Sequence, residues 1–104
     1  MGKTVKHVVE GWLFTWDCEK ATKNLKKHGI SFYEACEVFF DAFYVVGDAS
    51  VPEEQRQSFI GYSQRLLYVV AAEQDQVEDA WRIISAREAE PKERKRYEEA
   101  DDSD

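Results

Sequence analysis

The sequence has little of what marks a disulfide scaffold, a metal centre or a membrane protein. Two cysteines and two histidines occur in 104 residues. Cys18 and Cys36 fall in stretches that read as helical and form no CxxC motif, so free thiols are expected rather than a bridge. His7 and His28 lack partners at ligand spacing, so no metal and no cofactor are expected. No apolar run approaches the ~18 residues of a membrane span, and Met1 to Lys6 lead into no signal-peptide pattern. No membrane association and a cytoplasmic location are the expectation. Positive charge is also short. A net charge of -7 argues against a chain that coats nucleic acid indiscriminately.

What is present is a globular composition, 43% hydrophobic and 13% aromatic. One domain over residues 1–100 is expected, with a disordered acidic tail at 101–104. The charge is uneven. Asp48, Glu53 and Glu54 load a central loop, and Glu98, Glu99, Asp101, Asp102 and Asp104 load the tail. Lys92, Arg94, Lys95 and Arg96 form a basic cluster between them. The acidic segments favour a basic protein partner, while the cluster leaves room for a local positive patch.

Local signals divide the chain into elements. Residues 1–8 show no pattern, and Val9 to Trp16 reads as a first strand despite Gly11. Asp17 is an N-cap and Gly29 a C-cap for a helix bearing Lys20, Lys23, Lys26 and Lys27. Ser31-Phe32-Tyr33-Glu34 has the form of a capping box, with Ile30 placed to staple onto Ala35, and opens a second helix ending near Phe40 or Asp41. Ala42 to Gly47 reads as a strand. Arg56 to Tyr62 and Leu66 to Ala72 read as a hairpin around Ser63-Gln64-Arg65. Glu73 to Asp79 is a polar connection, and Ala80 to Arg87 a last strand. Pro91 suits the first turn of a third helix over about Lys92 to Glu99, with Glu90 a poor cap. The fold class is α+β: a largely antiparallel sheet of about four to five strands with three helices.

The stretch Arg82-Ile83-Ile84-Ser85-Ala86-Arg87 holds the most chemistry. Strict alternation puts Arg82, Ile84 and Ala86 on one face and Ile83, Ser85 and Arg87 on the other. Two guanidiniums with a hydroxyl between them suit a phosphate diester; a strand with charged ends is the plainer reading.

Together these landmarks resemble the BrnT family of type II toxin–antitoxin toxins. The matching pieces are Phe14-Thr15-Trp16-Asp17, Asn24-Leu25-Lys26-Lys27-His28-Gly29-Ile30-Ser31-Phe32, Glu34-Ala35, Val38-Phe39 and Asp41. Further on come Arg56, Gly61, Leu66-Leu67-Tyr68-Val69-Val70, the Arg82–Arg87 stretch, and Ala89…Glu93-Arg94…Tyr97-Glu98. The resemblance implies a RelE-like fold and a small ribonuclease that blocks translation. It implies neutralisation by a BrnA-like antitoxin with a ribbon-helix-helix domain. DNA would be contacted only through that complex, in which this chain could be a homodimer. One departure is Ala71-Ala72, where the family commonly has His or Tyr followed by Thr. The alternative is therefore a catalytically degenerate homologue acting as a protein-binding module.

Metal-free RNA cleavage needs a base for the ribose 2′-OH, cations around the phosphorane and an acid for the leaving oxygen. Arg82, Arg87 and Arg56 are the candidate cations, because guanidinium stays charged and forks onto phosphate oxygens. Ser85 can donate to a non-bridging oxygen or be satisfied by backbone. His28 is the candidate base or acid by its near-neutral pKa, or a structural residue at a helix end. Glu73 and Glu93 are weaker base candidates. Trp16 is a candidate for base stacking, against a place in the core. Lys27, Lys92 and Arg94 are candidate RNA contacts, against a solvated surface.

Overall fold

A computed structural model describes residues 2–74 and 79–102. The chain runs β1 (Thr4–Val9), β2 (Trp12–Asp17), α1 (Cys18–His28), α2 (Phe32–Glu37), β3 (Val45–Asp48), β4 (Gln57–Tyr62), β5 (Leu66–Glu73), β6 (Ala80–Glu88) and α3 (Pro91–Asp102). The six strands form one sheet in the order β1-β2-β6-β5-β4-β3. β2 and β6 pair in parallel, and every other neighbouring pair is antiparallel. The class is α+β as expected, but the sheet is mixed and has more strands than the four or five expected.

The additional strand comes from the N-terminus. Residues 4–9 form β1, and Glu10 and Gly11, with φ of 49° and 87°, make the tight turn into β2. Two consecutive positive φ values are what a two-residue hairpin demands, and Gly11 supplies one without steric cost. The single strand expected over Val9–Trp16 is thus two strands folded at Gly11. β1 carries a weak sequence signal because it is a half-exposed edge, with Val5 and Val9 facing the core and Lys6 and Val8 facing away.

The helix boundaries follow their caps. Asp17 accepts from the Glu19 N–H at 2.8 Å, and Gly29, at φ 73°, closes α1 by donating to Leu25 O. Ser31 Oγ accepts from Glu34 N at 3.1 Å, but the Glu34 carboxylate turns outward. It accepts from Arg65 Nε at 3.0 Å and Ser63 Oγ at 2.7 Å, pinning α2 to the β4–β5 turn. After α2 the chain tightens into a 3-10 turn over Val38–Phe40. β3 starts later than expected because Asp41 O and Oδ1 hold Tyr44 and Phe43 in a turn. The start of α3 is held from inside the helix. Glu93 reaches back to accept from Glu90 N at 2.8 Å. The helix continues through Asp102, beyond Glu99, and residues 103–104 of the tail lie outside the described residues. So do residues 75–78 of the polar connection.

One sheet face meets α2 and the 3-10 turn. There Phe14, Trp16, Phe32, Phe39, Phe59, Leu67, Val69 and Ile83 form a continuous buried core. α3 packs against β3 and β4. Beside β6, α1 takes over where β2 leaves the sheet. The buried Asn24 amide accepts from Ala86 N at 3.2 Å and donates to Ala86 O at 2.8 Å and Ile30 O at 3.0 Å. A side chain thus satisfies a strand edge that would otherwise be orphaned.

Candidate functional site

The arginine-bearing strand does not alternate throughout. Val70 pairs with Ser85 but Ala71 pairs with Ile83, so Ile84 is an extra residue, a bulge in β6. The bulge rephases the strand. Ile83 and Ala86 both enter the core, and Arg82, Ser85 and Arg87 all share the opposite face with their partners Ala72, Val70 and Tyr68. The division of Arg82 from Arg87 onto two faces, expected from strict alternation, is therefore corrected. They still do not converge. Five residues of strand separate them by ~16 Å, too far for one phosphate.

Arg82 converges with Arg56 instead. Arg56 Nε donates to Glu54 Oε1 at 2.8 Å, and Arg82 Nη2 donates to Glu54 Oε2. One carboxylate thus holds two guanidiniums, all three side chains being about a third exposed or less. The Arg56 hydrogen bond, then Arg82, outweighs partial burial and holds the Glu54 carboxyl below its usual range. The loop is braced for this contact. Val51 and Glu54 bridge, Ala49 N donates to Arg56 O at 3.0 Å, and Arg56 N donates to Ser50 Oγ at 3.0 Å.

A polar row crosses the sheet beneath this carboxylate. Lys6, Thr15, Arg82 and Ala72 are successive neighbours on β1, β2, β6 and β5. Gln74 Nε2 donates to Thr15 Oγ1 at 3.2 Å. Beside the row, a cavity of about 420 Å3 is lined by Glu53, Glu54, Gln55, Ala72 and Glu73. Of the unusual alanine pair, Ala71 lies in the core, and only Ala72 sits beside Arg82. Ser85 is half-buried between the two arginines and, among the described residues, its hydroxyl has no side-chain partner.

Arg87 is engaged differently. Its fork donates to both Glu93 oxygens at 2.8 and 2.7 Å, its Nη1 donates to Glu88 O, and it lies 4.4 Å over the Tyr68 ring. Glu93 is 3% exposed, so this bidentate pair joins β6 to α3. Glu93, pinned there, has no access to a 2′-OH.

The remaining candidates are scattered. Trp16 is 2% exposed, wedged against Phe32 and Tyr33 on the core face. His28 is half-buried in the last turn of α1. Arg65 bonds both Gly29 O and Glu88, which puts that helix end beside the far end of β6 from Arg82. His28 and Arg82 therefore do not form one constellation. Lys27 is exposed on α1. Lys92 lies 3.9 Å from Glu90, and Arg94 donates to the Tyr62 hydroxyl at 3.4 Å, both on α3 and away from Arg82. Among the described residues no three His, Cys, Asp or Glu side chains cluster to hold a metal ion, and no helix is long and apolar enough to cross a membrane.

Glu54, Lys6 and Gln74 had no sequence signal that set them apart from other polar surface residues. Only the pairing of distant strands assembles them with Arg82.

The combination of a mixed six-stranded sheet, an Arg-lined open face and the motifs on it has a counterpart among ribonuclease toxins. A family described as the ribonuclease toxin, BrnT, of type II toxin–antitoxin systems matches residues 16–93, and the chain belongs to that family. Its fold is similar to the 1.1 Å crystal structure of the Brucella abortus ribonuclease toxin BrnT. The TM-score is 0.58 with 26% identity, and the alignment covers 72% of this chain and 92% of that one. No curated protein sequence matches the chain. Membership brings an antitoxin partner and an RNA target with it.

Proposed function

We propose that this chain is an endoribonuclease that cleaves RNA without a metal ion at the open face around Arg82, and so inhibits translation. The observation that carries this reading is the convergence of Arg56 and Arg82 on the single carboxylate of Glu54. Two guanidinium forks aimed at one anionic group are equally aimed at the non-bridging oxygens of a phosphodiester. A scissile phosphate displaces Glu54. The arginines then gain strength as charge builds on the phosphorane, a preorganised electrostatic effect. Ser85 stands next to Arg82 on the same face to donate to a phosphate oxygen. Glu54, once released, loses the bonds that depress its pKa and becomes a better base for the 2′-OH. That role falls to Glu54 rather than His28, which is at the other end of β6. The chain works in the cytoplasm, and a BrnA-like ribbon-helix-helix antitoxin neutralises it and supplies any DNA contact. The net charge of -7 suits a basic partner of this kind.

The test is incubation of the antitoxin-free protein with labelled single-stranded RNA in EDTA, beside Arg82→Ala and Arg56→Ala. Products with 2′,3′-cyclic phosphate ends, lost in both variants, are expected. A folded wild type that cleaves nothing would point to the second reading, a protein-binding module. The observation that favours that reading is the bare methyl of Ala72 beside Arg82, where the family commonly carries a hydroxyl.

A further inference from the structure

A second cavity adjoins the arginine pair over the rim of the sheet. It measures about 270 Å3 and is lined by Asp48, Ser50, Gln55, Arg56, Gln57, Glu73 and Trp81. Gln55 and Glu73 also line the cavity beside Ala72, so the two cavities are neighbours that share these two residues. Arg56 belongs to both the Glu54 pair and this cavity.

The pocket's chemistry excludes one occupant and favours another. Asp48 and Glu73 contribute two carboxylates, which repel phosphate. Ser50 holds the Asp48 carboxyl below its usual range through its hydroxyl and N–H, so that acid stays charged. Trp81 is half-buried, with its ring packed edge-on against Phe59 at 5.2 Å and tilted against Phe39 at 5.7 Å. Those contacts fix an aromatic surface at the pocket wall. The side-chain amides of Gln55 and Gln57 have no hydrogen-bond partner among the described residues. An aromatic wall with polar groups at its edge is how proteins read an unstacked base. At this size the space suits a single base, below the ~300–1,000 Å3 of typical ligand pockets.

We propose that this pocket holds the nucleobase next to the scissile phosphate, and that it selects guanine. The inference rests on the ribonuclease reading above. Guanine alone presents two adjacent donors, N1–H and the 2-amino group, to one carboxylate. Adenine and cytosine offer an amino group beside an acceptor, and uracil flanks its single N–H with carbonyl oxygens that a carboxylate repels. Trp81 supplies the stacking surface, Glu73 or Asp48 accepts the paired donors, and Gln55 or Gln57 donates to O6. Arg56 joins the base site to the phosphate site.

The experiment measures binding of the full chain to non-cleavable 2′-O-methyl pentanucleotides by fluorescence anisotropy. The probes carry guanine, inosine, adenine or uracil at the centre of a uridine context. The guanine probe is expected to bind about tenfold more tightly than the uracil probe, and inosine, which lacks the 2-amino group, to lose most of that gain. Asp48→Asn with Glu73→Gln, both on the surface, is expected to bring the ratio near one. Trp81→Phe is expected to lower affinity for the guanine probe most. Equal binding of all four probes overturns the guanine pocket and leaves the nuclease reading standing. No binding and no cleavage of any RNA by the folded chain removes both.

Discussion

Replacing Arg87 by Ala is expected to be a stability mutation whose cost depends on pH. Arg87 makes a bidentate pair with Glu93, whose side chain is 4% exposed. Deleting one member of a buried pair costs roughly 3–5 kcal/mol, because the other charge is left uncompensated. The Arg87 side chain is 27% exposed, so the lower end applies. Loss of the contact over Tyr68 adds ~0.5–1 kcal/mol. A total of about 3.5–4 kcal/mol corresponds to a fall of roughly 2–3 M in urea midpoint for a chain of this size. Burial alone would push the Glu93 carboxyl up. The Arg87 hydrogen bonds and the Glu90 N–H outweigh it and leave the group below its ordinary 4.5. A depressed carboxyl adds stability above its unfolded pKa and loses it as pH falls through the folded value. The wild type therefore keeps this contribution at neutral pH and sheds it only below about pH 4.5. In the variant only the Glu90 N–H and the Lys92 charge remain to oppose burial, so the carboxyl rises relative to the wild type. The cost of the mutation should then shrink at pH 3.5. Urea melts of wild type and variant at pH 7 and pH 3.5 make the comparison. Equal losses at both values, or a loss under ~1 kcal/mol at pH 7, would refute the argument. Arg82→Ala is the control, since a pair about one third exposed is worth at most ~1 kcal/mol.

Three further outcomes follow from single contacts. Glu54→Gln removes the internal competitor for the two arginines, so RNA should bind roughly three- to tenfold more tightly, while kcat falls with the loss of the base; KM and kcat measured separately give the answer. Asn24→Ala leaves the edge of β6 and Ile30 O without partners. At ~1–3 kcal/mol for each buried group left unsatisfied, it should destabilise by about 3 kcal/mol or abolish folding, which thermal melts will show. Cys36, 1% exposed, has its thiol pushed up to about 12 by burial, so at pH 8 its thiolate fraction is about one in ten thousand. A disulfide reagent should therefore titrate only the half-buried Cys18 in the native protein and both thiols in denaturant.

Much of the fold was legible because its signals are local. Asp17 and Gly29 bracket α1, Ser31 opens α2, Pro91 opens α3, and the Ser63–Arg65 turn joins β4 to β5. Each depends on residues within a few positions of one another. The candidate site was legible as a set of arginines and not as an arrangement. Arg82 and Arg56 were singled out by type, but their meeting depends on Glu54 of a loop that looked merely acidic. Trp16 and Arg87 stand out by residue type, while the burial of one and the Glu93 partner of the other depend on the fold.

The sequence by itself determined the α+β class, most element boundaries, the family and the arginines worth testing. Tertiary structure decided which of them act together. Strand order placed β1, β2 and β6 side by side, so Lys6 and Thr15 joined Arg82. The bulge at Ile84 then moved Arg87 to the face of Arg82, while α3 brought Glu93 to occupy it. Register, a bulge and a long-range ion pair depend on partners far away in the chain, and the total burial of the sheet selects them. No window of neighbouring residues carries that information.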